Sequence, residues 1–178
     1  MTRLIHLNGP PGVGKTTLAR QYAAEHPGVL LCDVDVLRTM IGGWQDDADA
    51  AGRARTVALA LITAYLRTGH DVVLPQTVGR DGQLARFISA ARAAGAEHVH
   101  VVLVAEPDIV VDRFRDRAAT AGDEWTAYAT AYVDGEGGDD ALREWVALFN
   151  AISADARVAS TDPVTTYRSL LVALGEQV

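Results

Sequence analysis

The 178-residue chain has little of what marks several specialised classes of protein. Its one cysteine, Cys32, has no partner for an internal disulfide, and the apolar run around it predicts a small buried hydrophobe in a reducing compartment. Its one lysine is Lys15, and every other basic side chain besides histidine is arginine. The net charge of −7 argues against a general affinity for duplex DNA or RNA, whose phosphates call for clustered cations, so a small or locally steered substrate is expected. No apolar stretch approaches the ~20 residues that span a bilayer, and the few residues before Gly9 are too short for a secretory signal. A soluble, cytoplasmic protein is therefore expected. There is no internal repeat and no low-complexity linker. With 49% hydrophobic residues, one domain over 1–178 has ample material for a single core.

What the chain does contain is an alternation of short apolar runs with helical patterns. The runs 4–7, 29–32, 72–74, 99–104 and 157–159 predict five strands, each partly β-branched and closed by polar, Gly or Pro residues. Helices are expected over 15–25, 34–41, 53–67, 82–94, 107–117, 139–151 and 164–174. Gly69 and Gly95 stand at helix ends, and Asp162-Pro163 opens the last helix. This order implies an α/β fold with a mostly parallel five-stranded sheet between helical layers. Two acidic stretches, 42–49 and 134–140, read as flexible solvated loops.

The first strand runs into Gly9-Pro10-Pro11-Gly12-Val13-Gly14-Lys15-Thr16, a G-x-x-x-x-G-K-T phosphate-binding loop followed by Thr17. The glycines let successive N–H groups point inward at an anion, and the following helix presents its positive end there. Lys15 is placed to reach the β- and γ-phosphates and the Thr16 hydroxyl to ligate Mg²⁺. That the only lysine stands here fits a chemical role, although a compositional preference for arginine also accounts for its rarity elsewhere. After the second strand comes Asp33-Val34-Asp35-Val36-Leu37-Arg38, at the sheet edge where open α/β folds hold ligands. Asp35 and Arg38 lie three apart and share a helix face. Asp33 can cap that helix or hold Mg²⁺ through water. Asp35 can complement the helix dipole or take the proton from an attacking hydroxyl, with Arg38 holding the substrate.

The pairing of GPPGVGKT with D-x-D-x-x-R resembles the small P-loop kinases of the nucleoside-monophosphate-kinase fold, AAA-type ATP-binding proteins that include shikimate kinase, polynucleotide kinase, zeta-type toxins and chloramphenicol phosphotransferase. The resemblance spans most of the chain and implies a three-layer αβα P-loop fold with ATP and Mg²⁺ bound. It implies Asp35 as the base, Arg38 as the acceptor-side arginine, and Thr16 with Asp33 on the metal. Arg113 and Arg117, at i, i+4 before a loop at 118–123, resemble a small lid over about 113–125 that closes on the triphosphate; a solvated helix laced with Asp112 and Asp116 fits the same residues. Thr161, after the fifth strand, stands where similar kinases pack adenine.

The chain departs from many P-loop proteins in having no acid at the end of the third strand, since Asp71 lies at its start. Pro75-Gln76-Thr77 there resembles the tunicamycin-resistance ATP-binding proteins; a polar strand end fits as well. Two readings follow: an ATP-dependent phosphotransferase acting on a hydroxyl of a nucleoside, sugar or antibiotic, and a nucleotide-dependent protein that sequesters a nucleoside-type antibiotic unmodified. A polynucleotide 5′-hydroxyl kinase is disfavoured by the charge. The acceptor pocket is expected from the segment after Arg38, with Trp44 as loop anchor or stacking platform, the helix from Arg53, and the region near Gln76.

Overall fold

The computed structural model describes residues 1–79 and 81–177. Among them, strands β1 (Arg3–Asn8), β2 (Leu30–Leu31), β3 (Val72–Pro75), β4 (Glu97–Val104) and β5 (Ala156–Ala159) form one sheet in the order β2-β3-β1-β4-β5. Helices α1 (Lys15–Glu25), α2 (Val34–Thr39), α3 (Ala50–Leu66), α4 (Asp81–Ala93), α5 (Pro107–Thr120), α6 (Glu124–Gly135), α7 (Asp139–Ala151) and α8 (Pro163–Ala173) complete the described residues. Every strand pairing is parallel, where the sequence left room for a mixed sheet. The connections require it: a helical crossover returns the chain to the same end of the sheet before each new strand.

The sheet is covered on both faces, which is why its central strands are apolar without alternation. On one face Ala54, Ala58 and Ile62 of α3 and Phe87 of α4 meet Leu4, Val72 and Leu74. On the other, Leu18, Ala19 and Tyr22 of α1 and Leu170 of α8 meet Ile5, Leu7 and Val73. This is the expected three-layer αβα fold. Beside it, α5, α6 and α7 close a small cluster of their own around Val111, Phe114, Val133 and Leu142. Cys32 is buried, as its surroundings in the sequence suggest.

Three segments differ from the sequence reading. The first half of the expected loop at 118–123 is helix, because α5 continues through Ala118 and Ala119, both strong helix formers, to Thr120. The sequence predicts no helix over 124–135, yet α6 is there, started by Asp123, whose carboxylate accepts from the Thr126 N–H (2.8 Å) and hydroxyl (2.9 Å). It absorbs the first residues of the expected acidic loop, and the turn into α7 is made where Gly137 and Gly138 adopt φ +119° and +64°. The stretch 42–49 is a run of hydrogen-bonded turns rather than a free loop, and its Trp44 is only 3% exposed.

Candidate active site

The phosphate loop leaves β1 with its backbone already fixed. The Asn8 carboxamide oxygen accepts from the N–H of Gly9 and of Val78 (both 2.8 Å), while its nitrogen donates to the Val78 carbonyl (2.9 Å). Gly12 and Gly14 take φ +83° and +98°, and a Cβ on Gly12 would stand 2.7 Å from the Val110 carbonyl, so α5 packs directly against the loop. Lys15 folds back to donate to the Gly9 (2.9 Å) and Pro10 (2.7 Å) carbonyls. Burial holds its ammonium down at about 8, reinforced by Arg117 and opposed by Asp35 and Asp33. Val13 is buried under the loop and its carbonyl accepts from the Ser160 hydroxyl (2.7 Å). Pro11, Gly12, Gly14, Lys15, Thr16 and Thr17 face the cavity.

Opposite them, the two carboxylates of α2 divide the work. Asp33 is buried and its Oδ1 caps the helix, accepting from the N–H of Asp35 (3.0 Å) and Val36 (3.4 Å). Asp35 lines the cavity, and burial together with Asp33 pushes its carboxyl up to about 6 against Lys15, Arg38 and Arg117. Arg38 donates to the Tyr128 hydroxyl (2.7 Å), and its guanidinium lies 4.4 Å from the Tyr128 ring centre, 5.4 Å from Trp44 and 5.7 Å from Trp125. Trp44 is thus an anchor behind Arg38 and does not line the cavity.

The expected arginine pair separates into two tasks. Arg113 donates to the Ser160 hydroxyl (2.9 Å) and to the Thr161 carbonyl, joining α5 to the loop after β5. Arg117 is exposed on the cavity wall, in the field of Lys15 and Asp35, with its guanidinium 5.3 Å from the Phe114 ring centre. Thr161 lines the cavity beside Pro163 and Thr166. Gln76 also lines it, with a carboxamide oxygen that is buried without a hydrogen-bond partner, and Thr77 donates to the Gly9 carbonyl (3.0 Å). Asp71 sits at the far end of β3, paired with Arg3 (3.0 Å).

The phosphate loop, Asp35, Arg38, Gln76, Thr77, Arg113, Arg117 and Thr161 border one cavity of about 1300 Å³. Drug-sized ligand pockets run to about 300–1,000 Å³, so this one has room for a nucleotide and a second molecule. As the sequence suggests, Arg55 of α3, the 45–48 turns and Gln76 contribute to it. The sequence reading missed Trp125, Tyr128 and Tyr132 of α6 with Trp145 and Phe149 of α7, which form much of the remaining wall. A signal existed in the i, i+3, i+7 spacing of the first three. The donors also suit Mg²⁺, a hard cation that takes few protein oxygens beside phosphate and water: the Thr16 hydroxyl is on the wall, and Asp33, whose Oδ1 takes both cap bonds, stands next in the chain to the cavity-lining residues.

The family model described as an AAA domain matches residues 4–132. No curated protein matches the chain. Among solved structures, the tunicamycin resistance protein of Deinococcus radiodurans is 13% identical over 99% of this chain and 98% of its own, with a TM-score of 0.63. The APS kinase of Mycobacterium tuberculosis in complex with AMPPNP and APS is 16% identical over 98% of both chains (TM-score 0.64), and a gluconokinase from Sinorhizobium meliloti 1021 is 16% identical over 97% and 91% (TM-score 0.60). At such identities the likeness is one of fold, that of the P-loop kinases. With a family match that takes in β1, the phosphate loop, Asp33 to Arg38 and both arginines of α5, the chain belongs to the AAA domain family.

Proposed function

We propose that the protein is an ATP-dependent phosphotransferase that moves the γ-phosphoryl group of MgATP to a hydroxyl of a small molecule such as a nucleoside, sugar or antibiotic. The observation that carries this reading is Asp35, a cavity-lining carboxylate set across from Lys15 on the phosphate loop. Asp35 takes the proton as the acceptor oxygen bonds to the γ-phosphorus and the bond from that phosphorus to the bridging oxygen of ADP breaks. Lys15 turns from the Gly9 and Pro10 carbonyls to the β- and γ-oxygens, and Arg117, exposed on the cavity wall, screens the same charge. Arg113 acts from behind, holding the Thr161 loop on which the adenine of ATP would rest. Thr16 and, through water, Asp33 would hold Mg²⁺, which supplies charge neutralisation at the phosphates.

Label transfer from γ-labelled ATP to a panel of alcohols tests the reading directly. Asp35→Asn should lower transfer at least about 10²-fold while MgATP affinity stays within about twofold. Transfer at the parental rate would remove Asp35 from the role. A second reading, sequestration of a nucleoside-type ligand without chemistry, is favoured by Gln76, whose buried unpartnered oxygen stands where many P-loop enzymes keep an acid. Mass spectrometry of ligand recovered after incubation with MgATP separates the two, because a gain of one phosphate excludes pure sequestration.

A further inference from the structure

The chain has eleven aromatic residues, and six of them, Phe114, Trp125, Tyr128, Tyr132, Trp145 and Phe149, border this one cavity. They are arranged as a strip. The Trp125 and Tyr128 rings stack at 5.7 Å, and Tyr132, one turn further along the same face of α6, stacks on Trp145 of α7 at 6.3 Å. The strip begins against Arg38, one helical turn from Asp35, so it leads away from the candidate base. Its far end is open: Tyr132 is 54% exposed although it lines a cavity. A solvent-facing aromatic stack inside a pocket is a platform for another ring.

The charges on that side point the same way. The donor side carries Lys15, Arg113 and Arg117, whereas the acceptor side carries Asp35, Asp46, Asp47 and Glu136 with Arg38 and Arg55. Arg38 already has three aromatic faces and the Tyr128 hydroxyl against it, and Asp47 pairs with Arg53. A phosphorylated, sulfated or carboxylic acceptor would enter a region with more acids than bases. A neutral one would not meet that repulsion.

We infer that the second ligand is a neutral alcohol bearing a planar aromatic ring, stacked on Tyr132 and Trp145 with its hydroxyl presented to Asp35. The ring site rests on the cavity wall, and delivery of the hydroxyl rests on the phosphotransferase reading. Isothermal titration with Mg-AMPPNP on the donor side tests the first part with uridine, adenosine and chloramphenicol as neutral ring alcohols, against D-gluconate, AMP and kanamycin. At least one ring alcohol should bind at or below about 1 mM, the upper end of ordinary substrate affinities, and more tightly than the other three. Tyr132→Ala should weaken that binding about tenfold, as loss of one stacking partner does, Tyr132→Phe should restore it to within about twofold, and neither should move AMPPNP affinity. Tighter binding of gluconate, AMP or kanamycin, failure of all three ring alcohols, or indifference to Tyr132→Ala overturns the inference. A ring alcohol that binds but gains no phosphate from ATP leaves the ring site standing and removes the phosphotransferase reading instead.

Discussion

Around Lys15 the cavity wall is backbone held in a set geometry, whereas around Asp35 it is side chains delivered by α2, the 45–48 turns, α3, the end of β3, α6 and α7. The phosphate loop of the donor wall comes from one contiguous stretch, and its glycines, the Asn8 clamp and the bond from Ser160 to Val13 fix it whatever the second substrate is. The acceptor wall exists only once distant elements have packed. The contrast is also chemical: the donor side is cationic, and the acceptor side is aromatic with a surplus of acids. A loop of this kind can be kept while the other wall is rebuilt for a new acceptor. The solved structures with the same fold, a tunicamycin resistance protein, an APS kinase and a gluconokinase, are at least named for unlike molecules.

The contrast breaks most sharply at Lys15. Replacing it with Met removes the one lysine ammonium, which the proposed reaction sets on the transferring phosphate, and transfer should fall about 10³-fold, as loss of one preorganised charge donor does. Binding of a ring alcohol, measured by calorimetry, should be unchanged. If both ligands were lost together, the two walls would be one cooperative unit. Gly12→Ala tests the backbone itself. Its φ of +83° is costly for alanine, and the new methyl would sit 2.7 Å from the Val110 carbonyl, a main-chain atom that cannot swing aside. A loss of about 2–3 kcal/mol is expected, which for a chain of this length lowers Tm by roughly 5–10 °C, along with loss of ATP binding.

This division also explains what could be read from the residues alone. The phosphate loop, the α1 and α7 boundaries and the five strands were legible because each depends on a local pattern: a glycine spacing, a glycine directly before the helix, an apolar run. The helix α6 was not, because Thr126, Tyr128, Thr130 and Tyr132 are modest helix formers and Gly122 and Gly135 bracket them like loop residues. Tertiary packing of Val133 against Phe114 and Leu142 decides the matter. Trp44 stayed open between loop anchor and stacking platform for a similar reason: its sequence neighbours are Gly42, Gly43, Asp46 and Asp47, and Arg38 and α6, which pack against it, are reached only through the fold. The family resemblance pointed to Arg113 and Arg117 as a matched pair, but the loop after β5 engages the first and leaves the second on the cavity wall.

In the proposed reaction each wall contributes one titrating group to the pH profile. In kcat/KM, which reports the free enzyme, the proposed reaction needs Asp35 ionised and Lys15 protonated. With Asp35 pushed up to about 6 and Lys15 held down at about 8, activity should rise through the first value and fall through the second, losing about tenfold one pH unit beyond each limb. In kcat the alkaline limb should move upward, because bound phosphates stabilise the ammonium. Asp33→Asn adds a finer test. Asparagine still caps the helix, but the charge that raises Asp35 is gone, so the acid limb should shift downward without a large change in Tm. An unmoved acid limb would mean that the limb belongs to another group.

The smallest effects expected make the most direct comparison, because one substitution on each wall can be matched in size. Ser160→Ala removes the hydroxyl that donates to the Val13 carbonyl and accepts from Arg113, while its small side chain leaves the packing of β5 unchanged. About 1 kcal/mol is at stake, so KM for ATP should rise about fivefold with KM for the acceptor unaltered. Arg38→Met keeps an apolar body among Trp44, Trp125 and Tyr128 but loses the charge over their faces and the bond to the Tyr128 hydroxyl. A cation held against aromatic rings contributes about 0.5–2 kcal/mol, so an effect of the same size should appear in the acceptor KM and leave that of ATP in place. Crossed effects, with Ser160→Ala acting on the acceptor and Arg38→Met on ATP, would show that α5 and α6 transmit strain between the walls. The split result would show that the rigid loop and the aromatic pocket are energetically separate, as their construction from different parts of the chain implies.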